Sequence, residues 1–232
     1  MNQVALTTPS YQIKPLTLVF MTRNKRGKHL KNWNSNQAEA PQGKLRIIGG
    51  TFRGRVIDYS GDPITRPMKD NVREALFNLV GGWVKEKNVF DLFAGTGAIG
   101  LEAISRGAAG ATMIERHFPT VKIIEQNIQT LDVASTAQVH ASDTFFWVRK
   151  FIKEPANHLG NAWMVFCCPP YDFFVERTEE LMAMLESLID LAPPESIFVV
   201  ESDRRFEHAQ LPLADEWVIR EYSPAVIATL KR

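Results

Sequence analysis

The stretch Val89–Gly100, VFDLFAGTGAIG, constrains the fold of this chain more than any other. An apolar run leads into a turn carrying Gly95, Gly97 and Gly100, and an apolar helical pattern follows. That is strand, tight turn and helix, with the glycines spaced as in nucleotide-binding βαβ units. Such a unit requires parallel neighbours, and the sequence supplies them. Strand-like stretches fall at 88–93, 111–115, 137–141, 162–167, 196–201, 217–222 and 225–230. Helical patterns follow the first four, at 99–106, 119–131, 144–152 and 174–191. Alternating β and α predicts an α/β domain: a Rossmann-like, mostly parallel seven-stranded sheet with helices on both faces. Only Ser223-Pro224 separates the last two strands, so they are expected to be antiparallel to each other.

Two further elements precede this domain core. LRIIGGTFRGRVI holds two β-rich runs around Gly49-Gly50, which predicts a hairpin turning at that pair. In ITRPMKDNVREALFNLVGGW, Val72, Ala75, Leu76, Leu79 and Val80 follow helical spacing. Pro67 suits the first helical turn and Gly81-Gly82 the end. Residues 1–43 are rich in Asn, Gln, Thr and Lys, hold one acid (Glu39) and show no period. They are expected to be a mostly disordered tail, with the domain spanning 44–232. Leu16–Phe20 is too short for a secretory signal core, and Met21 is an alternative start.

Charge divides the chain unevenly. Residues 1–75 carry 13 Lys and Arg against 5 Asp and Glu, while residues 76–232 carry 14 against 21. A basic front on an acidic body suggests a polyanionic partner held by one part of the molecule. The two cysteines, Cys167 and Cys168, are adjacent, so they make neither a disulfide framework nor a metal site. A reducing cytoplasm is the expected compartment. No apolar run approaches the ~18 residues of a membrane span, and a monomer is expected.

The candidate chemistry gathers at strand ends. Glu115 ends the strand after the glycine turn, where an acid binds ribose hydroxyls. By themselves the glycines and Glu115 admit a nicotinamide, a flavin or S-adenosylmethionine. Asp91, four residues before Gly95, disfavours a pyrophosphate and favours a sulfonium cofactor that also carries an ammonium group. Asp143 suits an adenine amino group or a helix N-cap. The strand MVFCCPPY then ends in Cys168, Pro169, Pro170 and Tyr171. Ligands of open α/β sheets bind beyond the carboxyl ends of the strands, and all these residues lie on that edge.

Cys168-Pro169-Pro170-Tyr171 resembles the signature of methyltransferases acting on an exocyclic or amide nitrogen, in which an oxygen-bearing side chain precedes Pro-Pro and an aromatic. With RIIGGTFRGR, TRPMKDNVREALFN, DLFAGTGAIGLEAISRGA, the IE at 114–115, PPY and VVESD, the chain from about Leu45 to Lys231 resembles the RsmD family. These are bacterial 16S rRNA guanine-N2 methyltransferases. The resemblance implies that S-adenosyl-L-methionine is held by Asp91, Gly95 and Gly97 at its methionine part, by Glu115 at the ribose and by Asp143 at the adenine. It implies that the Pro169 carbonyl beside the first motif position accepts from the target NH₂, and that Tyr171 stacks on the base. Stacking contributes ~1–3 kcal/mol per base. Two acceptors on the N–H bonds localise a lone pair otherwise delocalised into the ring. Arg53, Arg55, Arg66, Lys69 and Arg73 are expected to face RNA, with ribosomal RNA or the small subunit as partner.

Cys168 departs from the family pattern, which has Asp or Asn there, and Met68 stands where Thr is usual. A thiol is a weak acceptor. Losing one good buried acceptor costs about 1–3 kcal/mol, or roughly 5- to 150-fold in rate. Three outcomes follow: a slower enzyme leaning on the Pro169 carbonyl, a Cys168 thiolate that accepts well, or a protein that binds RNA without turnover. Adenine N6 and a protein glutamine amide are the alternative substrates, and a nicotinamide oxidoreductase is the rival of another class. The five histidines show no metal-ligand spacing. Phe145-Phe146-Trp147 is expected to pack in the core or along its helix.

Overall fold

The computed structural model describes residues 43–61, 67–154 and 160–232. The expected tail lies outside these residues apart from Gly43, and so does Arg66. Strands β1 (Gly43–Arg46) and β2 (Val56–Tyr59) form an antiparallel pair. After helix α1 (Asp70–Val80) come β3 (Asn88–Asp91), α2 (Ala98–Ser105), β4 (Gly110–Glu115), α3 (Phe118–Thr130), β5 (Ala137–Ala141) and α4 (Thr144–Phe151). The chain continues through β6 (Trp163–Cys167), α5 (Phe173–Glu176), α6 (Thr178–Leu191), β7 (Ile197–Asp203), β8 (Val218–Tyr222) and β9 (Ala225–Lys231). The sheet order is β5-β4-β3-β6-β7-β9-β8, with β9 antiparallel to both its neighbours and the other pairs parallel. The chain runs outward from β3 to β5 and then returns to β6. The β3/β6 boundary is therefore the switch point, where a crevice opens at the carboxyl edge.

The central strands are apolar along their length because both faces are covered. All five residues of β6, WMVFC, are buried. Phe90, Leu92, Val165, Cys167, Phe198 and Val200 pack on the α4 and α6 side. Val89, Met164, Phe166, Ile197 and Val199 pack on the α1 and α2 side. Continuing that period of two puts Asp91, Cys168 and Glu201 on the α1/α2 face, at the carboxyl ends of three adjacent strands.

Three local expectations need correction. Gly49-Gly50 is not the hairpin turn. The register pairs Arg46 with Val56, and the loop between them lies against the end of α2. The Ile48 and Gly49 N–H groups each donate to the Glu102 carboxylate at 2.7 Å, and the Ser105 hydroxyl donates to the Gly49 carbonyl at 2.6 Å. Gly50 has φ +75°, and a Cβ there would stand 1.9 Å from the Ser105 carbonyl oxygen. The glycine pair thus serves a close backbone approach. Pro67 precedes α1, whose N-cap is Lys69. The helix expected over 174–191 breaks at Arg177, where φ is −133° and the side chain turns onto aromatic rings.

Glu102 is fully buried, and Arg106 closes it with a 2.8 Å ion pair. Gln in its place keeps one acceptor oxygen but sets an NH₂ against a backbone N–H. Glu102→Gln is expected to lower stability by about 2 kcal/mol in urea denaturation. A change below about 0.5 kcal/mol would show that the hairpin docks by other contacts.

Candidate active site

Asp91 ends β3 with no solvent exposure. Its Oδ2 accepts from the Gly100 N–H at 3.2 Å, while Oδ1 has no partner among the described residues. Burial pushes the carboxyl up to about 7; the Gly100 N–H opposes this and the Glu115 charge adds to it. The glycine turn owes its shape to positive φ at Gly95 (+52°) and Gly97 (+75°), a region closed to most side chains. Glu115 links this turn to the next βα junction. Its Oε2 accepts from the Gly95 N–H at 2.9 Å and its Oε1 from the His117 N–H at 2.7 Å. Each oxygen retains lone-pair capacity for a further donor. Asp143 caps α4 through Oδ1, which accepts from the Phe146 N–H at 3.0 Å.

The Pro-Pro turn follows β6. The Pro170 carbonyl accepts from the Phe173 N–H at 2.9 Å, whereas no N–H of the described residues meets the Pro169 carbonyl. The Tyr171 hydroxyl donates to the Glu201 carboxylate, which fixes the half-buried ring beside Cys168. Burial holds the Cys168 thiol well above its ordinary range, and the charges of Glu201 and Asp91 push it further the same way. Burial and the two neighbouring acids thus both disfavour the thiolate outcome. Cys167 faces the other side and is fully buried in the core.

Several site residues were not anticipated. Glu201 is 7% exposed and carries a carboxyl that burial raises to about 7. Phe93 after β3, Phe145 in the first turn of α4 and Phe173 at the start of α5 converge, with ring centroids 5.9–6.3 Å apart. The Arg177 guanidinium lies 4.0 Å from the Phe145 centroid and 5.1 Å from that of Phe173. Of the cluster Phe145-Phe146-Trp147, Phe145 is core and Trp147 packs against it, but Phe146 is 60% exposed. The VVESD motif and the run of aromatics around PPY were the available signals for these residues.

Among the basic residues, Arg53, Arg55 and Lys69 are exposed. Arg55 also donates to the Thr130 carbonyl at 2.9 Å. Arg73 corrects the expectation of an RNA-facing side chain. It is 1% exposed, donates to the Arg46 carbonyl at 2.7 Å and pairs with Asp70 at 3.0 Å. It ties α1 to β1 instead. Met68 is partly buried against the α1/α2 core.

The edge thus offers an orphaned buried carboxylate oxygen, a glycine turn, two acids for hydroxyl or amino donors and a free proline carbonyl. These features suit a cationic, hydroxyl-bearing nucleoside better than a pyrophosphate, which Asp91 would repel. The fold and this edge define a Rossmann-like protein of the class I methyltransferase architecture. The family described as Conserved hypothetical protein 95 matches residues 45–223, and the chain belongs to it. Its relatives include the ribosomal RNA small subunit methyltransferase D of Escherichia coli K12, 38% identical over 161 residues, covering 69% of this chain and 76% of that protein. The protein of the same name from Haemophilus influenzae is 32% identical over 170 residues, covering 72% of this chain and 84% of its own. This is the family that the sequence motifs resemble. A solved structure described as "Putative methyltransferase yhhF from Escherichia coli" superposes with a TM-score of 0.64 at 29% identity, covering 82% of this chain and 98% of that one.

Proposed function

We propose that this protein transfers a methyl group from S-adenosylmethionine to the exocyclic N2 of a guanine in small-subunit ribosomal RNA, in the cytoplasm. The observation that carries this reading is the buried Asp91 oxygen without a partner among the described residues, on the same sheet face as Cys168 and next to the Pro169–Tyr171 turn. Small-subunit ribosomal RNA as substrate is supported by the names of the relatives, and guanine N2 by the resemblance of the sequence motifs. When bound, the cofactor supplies an electrophilic methyl group on a cationic sulfur. The chain's own residues do the rest. Asp91 meets positive charge, Glu115 accepts from ribose hydroxyls and Asp143 accepts from the adenine amine. The Pro169 carbonyl accepts one N–H of the target amine and so localises its lone pair. Tyr171, held by Glu201, gives the extruded base a ring face. In-line positioning supplies much of the rate.

The test is transfer of label from S-adenosylmethionine to small ribosomal subunits that lack the modification, followed by nucleoside analysis. N2-methylguanosine is expected. N6-methyladenosine would move the reading to the adenine alternative, and cofactor binding without transfer to RNA would reject it. Arg53, Arg55 and Lys69 are assigned to RNA phosphates. Arg53→Gln with Arg55→Gln is expected to reduce the slope of log affinity against log salt by up to about two, leaving the methylated nucleoside unchanged. An unchanged slope would remove these arginines from the interface.

A further inference from the structure

We propose that Glu201 is the second acceptor of the catalytic site and takes up the proton released from the target amine, filling the role that the Cys168 thiol cannot. This rests on the methyl-transfer reading above. Three geometric facts support it. The β6/β7 register pairs Cys167 with Val200, which puts the next residues, Cys168 and Glu201, side by side on one face. Asp91 lies on that same face on β3, the other neighbour of β6, so a cation held at Asp91 would lie on the side of the sheet that carries Cys168 and Glu201. The Glu201 carboxylate accepts from the Tyr171 hydroxyl, which orients it toward the base-stacking ring.

The chemistry requires such a group. The N2 lone pair forms the new N–C bond, and the S–C electron pair stays on the departing thioether. The methylated nitrogen then sheds one proton, which passes to a Glu201 oxygen and on to water. A neutral thiol neither accepts well nor takes up that proton. The Pro169 carbonyl accepts one N–H but does not carry the proton away. A carboxylate does both.

The titratable groups Cys168, Tyr171 and Asp203 stand near Glu201, with Asp91 two strands away on the same face. Cys168 and Tyr171 follow β6, Asp203 lies on its own strand, and its β9 partner is the apolar Ile227. Burial raises the Glu201 carboxyl to about 7, with Asp203 adding and the Tyr171 hydroxyl opposing. Its active form is the carboxylate, so the rate should climb as pH rises through about 7 and level off above it.

Single-turnover transfer to unmodified small subunits, measured from pH 5.5 to 9 with S-adenosylmethionine saturating at every pH so that the titration of Asp91 does not enter through binding, tests the proposal. The wild-type rate is expected to rise through about pH 7. Glu201→Gln should lower the rate at pH 8 by about tenfold or more and flatten the profile, with S-adenosylmethionine affinity within about twofold of wild type. Tyr171→Phe should retain the rise. Adding Cys168→Asn to Glu201→Gln should recover rate, because a carboxamide oxygen accepts an N–H, without recovering the pH dependence. A lesion that merely damaged the fold would not be rescued, and thermal melting of Glu201→Gln checks this directly. A rise that persists in Glu201→Gln, or an unchanged rate, overturns the proposal. No transfer by the wild type, with cofactor binding intact, is a failure of the substrate reading itself, and the proposal falls with it.

Discussion

Asp91→Asn is expected to weaken S-adenosylmethionine binding about 100-fold while making the cofactor-free protein more stable above pH 7. Both effects come from the same buried oxygen. The folded protein raises the Asp91 carboxyl from 3.8 to about 7, chiefly by burial. Between those values the folded chain keeps a proton that the unfolded chain releases. Stability therefore falls as pH climbs from about 4 to about 7, and the full loss applies above 7. Three pKa units correspond to roughly 4 kcal/mol. Asn keeps the acceptor for the Gly100 N–H and removes the charge, but leaves an unpaired NH₂ that costs about 1–3 kcal/mol. A net gain of about 1–3 kcal/mol remains, visible as a higher melting temperature at pH 8 and little change at pH 5. For binding the sign reverses. A cation against an ionised, buried carboxylate is worth at least the 2.7 kcal/mol of a 100-fold change. Wild-type affinity should fall below pH 7, where the carboxyl must lose its proton first, and the variant's should be flat. Calorimetric titration and melting curves on one preparation measure both. If binding and stability fall together, Asp91 is a structural acid and meets no cation.

Much of this site could be read in the sequence, and the remainder has identifiable causes. Asp91, Gly95, Gly97, Glu115 and the Pro-Pro-Tyr turn are fixed by local pattern. A strand ending in an acid, then glycines, then a helix leaves few places for those side chains. Glu201 lies inside the VVESD motif, but its place beside Cys168 depends on the β6/β7 register, which no local pattern carries. Gly49-Gly50 reads as a turn because its reason for being glycine is the close approach of Ser105 and Arg106, more than fifty residues away. Arg177 breaks a helix that no Gly or Pro marks, its guanidinium lying over Phe145 and Phe173. Arg73 is different: the signal was present. Residues 73, 76, 77 and 80 form an i, i+3, i+4, i+7 stripe, and all four are buried in α1. Grouping it with the neighbouring basic residues hid that period.

Cys168→Asn in the otherwise native protein is expected to leave the rate of methyl transfer within about threefold of wild type, because the Pro169 carbonyl and Glu201 already accept from both N–H groups. A missing buried acceptor there would instead give a gain of roughly 5- to 150-fold, the equivalent of about 1–3 kcal/mol. The structure favours Asn over Asp for this test. Cys168 stands beside two acids, Asp91 and Glu201, in a site that already raises both carboxyls to about 7. A third carboxyl there would be pushed toward its protonated form for the same reasons, keeping one carbonyl acceptor but gaining an O–H donor, and would become the stronger carboxylate acceptor only as pH rises. Asn offers a carbonyl oxygen with no charge to bury, at a position whose backbone the two prolines already hold. Cys168→Asp should therefore lag Cys168→Asn near pH 7 and approach it near pH 9. The measurement is the single-turnover rate on unmodified small subunits, with the product nucleoside identified in each case. An increase in Cys168→Asn with N2-methylguanosine as product would show that the native thiol limits an otherwise complete site. An unchanged rate would mean that the Pro169 carbonyl and Glu201 already satisfy both N–H groups, and that the cysteine is a packing residue in a site whose acceptor has moved one strand over.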